Sequence, residues 1–444
     1  MKKSIFLILA SIALIITSCG KKNADRLLQT IPQNSRFVAI VNGENLMSDL
    51  GKEGAAQLQS LFDKPSRDSS NKIASYICSE DSEVDFSTPL CVFEFNNAAI
   101  VTMVLKDGDK FRKGIEAQLS AKFEKEKDVY YLADNTVFVK GDQAWVKSGY
   151  PEVEATEVNS FTNLPRKSSM ADNEYVAEMV AQDSDISWLL DMNAIFPSFA
   201  GMGANLWINM MFENPSYLAS YVDFEKSEIL GELTVLNDKY KPAAFSLRPS
   251  GIDTGVLKKF DGRGNLFLAT AFDSATVSRI LLQLNGLLSL PQEIVSLLES
   301  IDGTIAISSY VSDQSGQPEQ MSALISMKDN GAASEFASYL SRVMSEDGEN
   351  VSCQADGNAV ILSSPGQQGE SFSAVASDFK GASLGLVFNP SVIPAQGNSF
   401  ANSISSVVVK LVDNADGSTL NFKVKTKEDR NSLVTLLQFA NSSK

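Results

Sequence analysis

The sequence predicts an α+β fold: two tandem, internally duplicated domains of largely antiparallel sheets with helices packed on one face. Three observations carry the prediction. First, turn residues that tolerate positive φ separate alternating runs: Asn96-Asn97 between Cys91–Phe95 and Ala99–Leu105, then Asp134-Asn135, Gly141-Asp142, Asp356-Gly357 and Asp416-Gly417. Strands joined by such tight hairpins run antiparallel. Second, strands lead through an acidic turn into an apolar stripe of helical period. Asp107 precedes Phe111, Ile115 and Leu119; Asp329 precedes Phe336, Leu340, Val343 and Met344; Glu428-Asp429 precedes Leu433, Leu436, Leu437 and Ala440. Carboxylates suit helix N-termini because unpaired N–H groups point there. Third, the order of elements repeats. Residues 36–147 read strand, helix, hairpin, helix, short strands, and residues 264–363 read the same. Residues 185–236 read strand, helical region, hairpin, and residues 383–441 read strand, helix, hairpin, helix.

At 444 residues the chain exceeds one ordinary domain. The expected organisation is a signal peptide over 1–18, a lipidated Cys19 with a polar tether to residue 34, and an N-terminal α+β domain over 35–240. A linker over 241–263, marked by Pro242, Pro249, Gly251, Gly255 and Gly262, precedes a C-terminal domain over 264–444 that repeats the first.

The leader is the most specific feature. Lys2 and Lys3 make a positive n-region, and Ile5 to Ile16 make an apolar run too short to span a bilayer. It ends in Thr17-Ser18-Cys19-Gly20, small residues running into a cysteine, which has the form of a bacterial lipobox. The chemistry needs cysteine because a thiolate is the nucleophile that accepts the lipid, and two or more acyl chains give a stable anchor where one does not. Gly20 is not the aspartate that retains many such proteins at the inner membrane, so an outer-membrane location is expected. The partners expected are the membrane, through the anchor, and an envelope protein or glycan.

Composition excludes much else. Hydrophobic residues at 44% and charged residues at 21% exclude a disordered chain. The absence of histidine removes Ser-His-Asp and Cys-His nucleophiles and His-ligated metal sites. A formal net charge of −16 without a basic stripe argues against nucleic acid. Cys78, Cys91 and Cys353 contain no CxxC; Cys78–Cys91 is the nearest pair, and a disulfide there stands against three buried thiols.

No catalytic residues, cofactor or metal ligands emerge from the motifs. Ser69-x-x-Lys72 and Ser377-x-x-Lys380 fit a Ser-Lys pattern but lack its companion motifs. Gly201-Met202-Gly203 and Gly262-Arg263-Gly264 lack phosphate-loop spacing and read as turns. Asp413-Asn414-Ala415-Asp416-Gly417 reads as a hairpin turn before a calcium loop, and Ser79–Asp85 as a solvated acidic loop. Asp273-Ser274-Ala275 fits an O-glycosylation motif, but an N-cap explains it better. Met202, Trp207, Met210, Met211 and Phe212 form an apolar cluster that reads first as core.

The stretch Leu28-Gln29-Thr30-Ile31-Pro32-Gln33-Asn34-Ser35-Arg36-Phe37-Val38-Ala39-Ile40-Val41-Asn42, directly after the lipobox, resembles the start of an uncharacterised family of envelope lipoproteins from Bacteroides-type bacteria. The resemblance implies compartment and architecture over nearly the whole mature chain and carries no site residue except Cys19. The expected function is a lipid-anchored envelope protein acting as a non-catalytic binding or scaffold module. The alternative is a histidine-free hydrolase that acts on glycans with two carboxylates.

Overall fold

The computed structural model describes residues 21–62, 69–79, 81–132, 134, 136–148, 153, 155–192, 212–245, 250–288, 291–312, 318–346, 351–389, 402–414 and 417–442. Cys19, Gly201–Gly203, Trp207, Met210 and Met211 lie outside them. The chain divides into two compact units. Unit 1 takes the described residues up to Met192, then Ser216–Gly231 and those from Glu428 onward; unit 2 takes Phe212–Pro215 and Glu232–Lys427.

In unit 1 the helices are α1 (Lys21–Leu28), α2 (Gly43–Phe62, broken at Gly51), α3 (Ser69–Ile77), α4 (Gly108–Leu119), α5 (Ala155–Thr162), α6 (Glu174–Ala181) and α12 (Ser432–Ser442). Its strands are β1 (Phe37–Val41), β2 (Leu90–Phe95), β3 (Ala98–Val104), β4 (Phe123–Glu126), β5 (Val129–Leu132), β6 (Val137–Lys140), β7 (Gln143–Ser148), β8 (Ile186–Asp191) and β9 (Tyr217–Glu225). Their order is β9-β8-β1-β2-β3-β7-β6-β5-β4, antiparallel throughout. Asn96 and Asn97, at φ 49° and 65°, close the β2–β3 hairpin as a primed turn requires. Asp107 accepts from Asp109 N and Lys110 N at 3.0 Å and caps α4. The core gathers Phe93, Trp145 and Phe161, ring centroids 5.8 and 6.3 Å from Phe161. Gly114 on α4 lies where a Cβ would stand 2.0 Å from the Tyr76 hydroxyl, so only glycine permits this approach of α3.

Strand β10 (Glu228–Leu236) begins in unit 1 and ends in unit 2. Unit 2 continues with α7 (Thr254–Leu257), β11 (Arg263–Gly264), β12 (Leu266–Phe272), α8 (Ser274–Leu288), α9 (Gln292–Leu298), β13 (Ile301–Val311), β14 (Pro318–Met327) and α10 (Asn330–Glu346). Then come β15 (Ser352–Asp356), β16 (Ala359–Ser363), β17 (Glu370–Ser371), α11 (Phe372–Val375), β18 (Leu384–Phe388), β19 (Ile404–Asn414) and β20 (Gly417–Thr426). The sheet order is β15-β16-β14-β13-β12-β18-β19-β20, again antiparallel. Asp273 Oδ1 accepts from Thr276 N at 2.7 Å, so Asp273 is the cap of α8. Asn414 pairs with Gly417, and Ala415 and Asp416 between them lie outside the described residues.

The fold is therefore mixed α+β with largely antiparallel sheets, and it corrects several finer expectations. Helices do not keep to one face in unit 2. Phe267, Ala269, Val387 and Val408 pack with Leu257, Phe372, Val375 and Phe379 on one side of the sheet; Ile305 and Ile325 pack with Val277, Leu297 and Phe336 on the other. Residues 21–34 are not a bare tether: Ala24, Leu27, Leu28 and Ile31 are buried, and Asp25 and Arg26 pair with Arg166 and Asp142. Residues 241–263 are not an empty linker, because Ile252, Leu257 and Phe260 are buried in the unit 2 core. The expected boundaries, 35–240 and 264–444, also shift, since α12 groups with unit 1 and Glu232–Gly264 with unit 2. The cap of α12 is Asn431, whose Oδ1 accepts from Leu433 N at 2.8 Å, and not the acidic pair before it. Among the described residues no helix is long and apolar enough to cross a membrane.

Candidate functional site

The described residues of unit 2 line a cavity of about 450 Å³. Its floor follows from strand register. Phe267 pairs with Ser308 and Val387, and Val387 with Val408, so these side chains share one face of the sheet. Two residues further along each strand the same face carries Tyr310, Asn265, Asn389 and Ser406, and Ser406 pairs with Lys425. Asn389 N donates to Asn265 O at 2.9 Å, continuing the β12–β18 ladder to this row. An apolar row, buried under Phe372 and Phe379, thus gives way to a polar row that the helical cover does not reach.

The wall is the segment leading into α11. Glu370 pairs with Gly264, and Phe372 N donates to Gly262 O at 2.8 Å. Gln320 holds the preceding loop at both ends of its amide: Nε2 donates to Gly366 O at 2.8 Å, and Oε1 accepts from Gln368 N at 2.7 Å. Gly369, at φ 89°, sits where a Cβ would be 2.4 Å from Gly264 O; no other residue lets this strap lie so close to the sheet. Asn265 is locked by a reciprocal pair of 2.8 Å bonds with the Val311 backbone, leaving one donor and one acceptor site on its amide. Val375 and Asp378 complete the wall. Lys425, Glu370 and Asp378 make no ion pair among the described residues, so charges of both signs meet the cavity unneutralised by the protein.

Unit 1 holds a second concentration of charge. Asp185, just before β8 and 4% exposed, accepts from Phe224 N at 2.6 Å, while Asp223 Oδ1 accepts from Asp185 N at 3.1 Å. Its carboxyl lies near that of Asp49 on α2. Burial, helped by the charges of Asp49 and Asp223, pushes Asp185 up to about 7, and burial raises Asp49 as well. A proton kept by one of the two is the physical solution for neighbouring buried carboxyls. Asn431 ties the same point to α12, with Nδ2 donating to Phe224 O at 2.7 Å. Asn431→Ala removes a helix cap and this tie, and is expected to cost about 1–2 kcal/mol, read as a lower urea midpoint. The arrangement is a clasp between elements; among the described residues no group of three or more cysteines or carboxylates could hold a metal ion.

The cysteines resolve one way. Cys78, Cys91 and Cys353 form no disulfide with one another, and burial pushes the Cys78 and Cys91 thiols up to about 12, the setting of unreactive thiols. Of the Ser-Lys motifs, Ser69 and Lys72 lie on α3, and Ser377 and Lys380 are exposed at the turn before β18. Of the cavity residues, sequence motifs touched only Gly264, as a turn, and Asp378, inside Ser377-x-x-Lys380; Asn265, Asn389 and Ser406 each extend an apolar alternation by one polar step.

No family model matches the chain, and no curated protein matches it. Two solved structures are similar over part of it: crystal form III of TP0453, with a TM-score of 0.31 and 10% identity over 48% of this chain and 80% of that one. Crystal form I of the same protein gives 0.31 and 11% over 48% and 79%. Likeness at that level carries no argument about architecture or activity.

Proposed function

We propose that this chain is a lipid-anchored cell-envelope protein, held at the outer membrane through Cys19, whose two related halves form a non-catalytic binding or scaffold module. The observation that carries the binding reading is the unit 2 cavity, a walled polar row on a rigid sheet with uncompensated charges of both signs. Fixed strands and a strap tied by Gln320 provide the preorganisation that a binding site needs. Relatedness of the halves is supported by strand order: β9-β8-β1-β2-β3-β7-β6 reads against β19-β18-β12-β13-β14-β16-β15 position for position. The anchor is supported by the leader chemistry of Lys2, Lys3 and the small residues before Cys19.

Binding is tested with the purified full chain. A low-molecular-weight extract of the cell envelope is expected to raise the Tm of the native protein and of the surface control Lys258→Ala, but not of a Lys425→Ala, Asp378→Ala double variant. An equal response of all three, or none, overturns the reading. For the anchor, Cys19→Ala is expected to abolish incorporation of labelled palmitate and to move the protein from the membrane to the soluble fraction; label retained by the variant refutes it.

A second reading, glycan hydrolysis by two carboxylates, has one observation in its favour: Glu370 and Asp378 line the same cavity. Turnover of aryl glycosides that Asp378→Asn abolishes would establish it.

A further inference from the structure

We infer that the unit 2 cavity binds an uncharged saccharide. This rests on the binding reading above and names the ligand class.

The argument is one of complementarity along the polar row. Lys425 offers only donors, Glu370 and Asp378 only acceptors, and Ser406, Asn265 and Tyr310 offer groups of both kinds between them. A sugar hydroxyl donates one hydrogen bond and accepts others, so a run of hydroxyls can satisfy every kind of group in the row. Below the row lie Phe267, Val375 and Val387, and beside it the Tyr310 ring, which suits the C–H face of a pyranose. The volume of about 450 Å³ accommodates a short saccharide.

Other classes fit less well. An apolar ligand would bury Lys425 and Asp378 without partners, which is costly. An anionic ligand would meet two carboxylates against one ammonium. A zwitterion such as a dipeptide satisfies the charges at the two sides, but between them its one peptide N–H and one C=O serve fewer of the groups on Ser406, Asn265 and Tyr310 than a run of hydroxyls does.

The experiment applies the purified full chain to an array of neutral, sialylated and sulfated glycans, beside a titration with a dipeptide panel. Binding to neutral glycans is expected, weakened about tenfold or more by Lys425→Ala and by Asp378→Ala, with Lys258→Ala unchanged. Because a cavity variant can lose its fold, hydroxyl-radical footprinting of the native chain supplies an independent reading: the best neutral glycan is expected to protect Tyr310 from oxidation. Binding confined to charged glycans or to dipeptides, or neutral-glycan binding that leaves Tyr310 unprotected, overturns the inference. So does the absence of any glycan binding. If that absence accompanies a cavity-dependent Tm response to the envelope extract, the ligand class is wrong while the binding reading stands; if the extract also gives no response, both fall.

Discussion

Phe372→Ala is expected to lower the stability of unit 2 by about 3–5 kcal/mol, the range for removing a buried aromatic from a packed core. Phe372 is fully buried at the start of α11, with ring centroids 5.3 Å from Phe260, 5.2 Å from Phe267 and 5.5 Å from Phe379. Two stretches distant in sequence therefore meet on one side chain: residues 260–267, after α7 and into β12, and residues 372–379, from α11 to the turn before β18. Deleting the ring leaves a void that neither can fill alone, because each is fixed by its own backbone bonds; Phe372 N donates to Gly262 O and Ala382 N to Phe379 O. The guanidinium midpoint of unit 2 is expected to fall, and amide exchange in β12, β13 and β18 to accelerate. Phe372→Leu, which retains most of the volume, is expected to cost markedly less. Because Phe267 also lies beneath the cavity, the alanine variant is expected to lose ligand binding as well. Unchanged exchange in β12 would show that the cluster does not hold the strap to the sheet.

What was legible in the sequence was local. The Asn96-Asn97 hairpin and the Asp107, Asp273 and Asp329 caps could be read because each works through bonds to residues two to four positions away. One local signal was passed over. Ala24, Leu27, Leu28 and Ile31 stand at the i, i+3, i+4, i+7 spacing of a buried helix face, but the surrounding Lys21, Lys22, Asp25 and Arg26 made the stretch read as a tether. Punctuation hid the next case: the prolines and glycines between residues 242 and 262 mark turns correctly, yet Leu257 and Phe260 between them are core. The cavity could not be read at all. Tyr310, Asn265, Asn389, Ser406 and Lys425 form one row only because five strands align in a particular register, and register is set by pairing across long sequence separations. For the same reason the grouping of α12 with unit 1 had no signal near α12 itself.

Acidification from pH 8 to about pH 5 is expected to stabilise unit 1, on the order of 2 kcal/mol, the opposite of the usual trend for a protein rich in paired carboxylates. The sign follows from Asp185. Its folded value of about 7 lies above its ordinary value of 3.8, so between those limits the native state holds a proton that the unfolded chain has released. Stability is therefore fully present below the unfolded value and is lost as pH rises through about 7. Asp49, raised by the same burial, works in the same direction. The groups facing the pair are Asp223 and Glu225 on β9 and Asn431 before α12; the nearby cations Lys226 and Arg430 are held by Asp429 and Glu428. Nothing on these elements therefore compensates a doubly ionised pair. At lower pH the trend reverses, because Arg36 and Arg26 hold Glu94 and Asp142 below their ordinary values and that stabilisation is lost as they protonate. The discriminating variant is Asp185→Asn. Asparagine keeps an acceptor for Phe224 N and offers a donor to Asp49, but it carries no charge at any pH. It is expected to be more stable than the native chain at pH 8, about equal at pH 5, and nearly flat in between, as measured by urea denaturation across that range. A variant less stable than the native chain at pH 8 would mean that Asp185 is ionised and satisfied there, and that the clasp between α2, β8 and β9 is held by its hydrogen bonds without a retained proton.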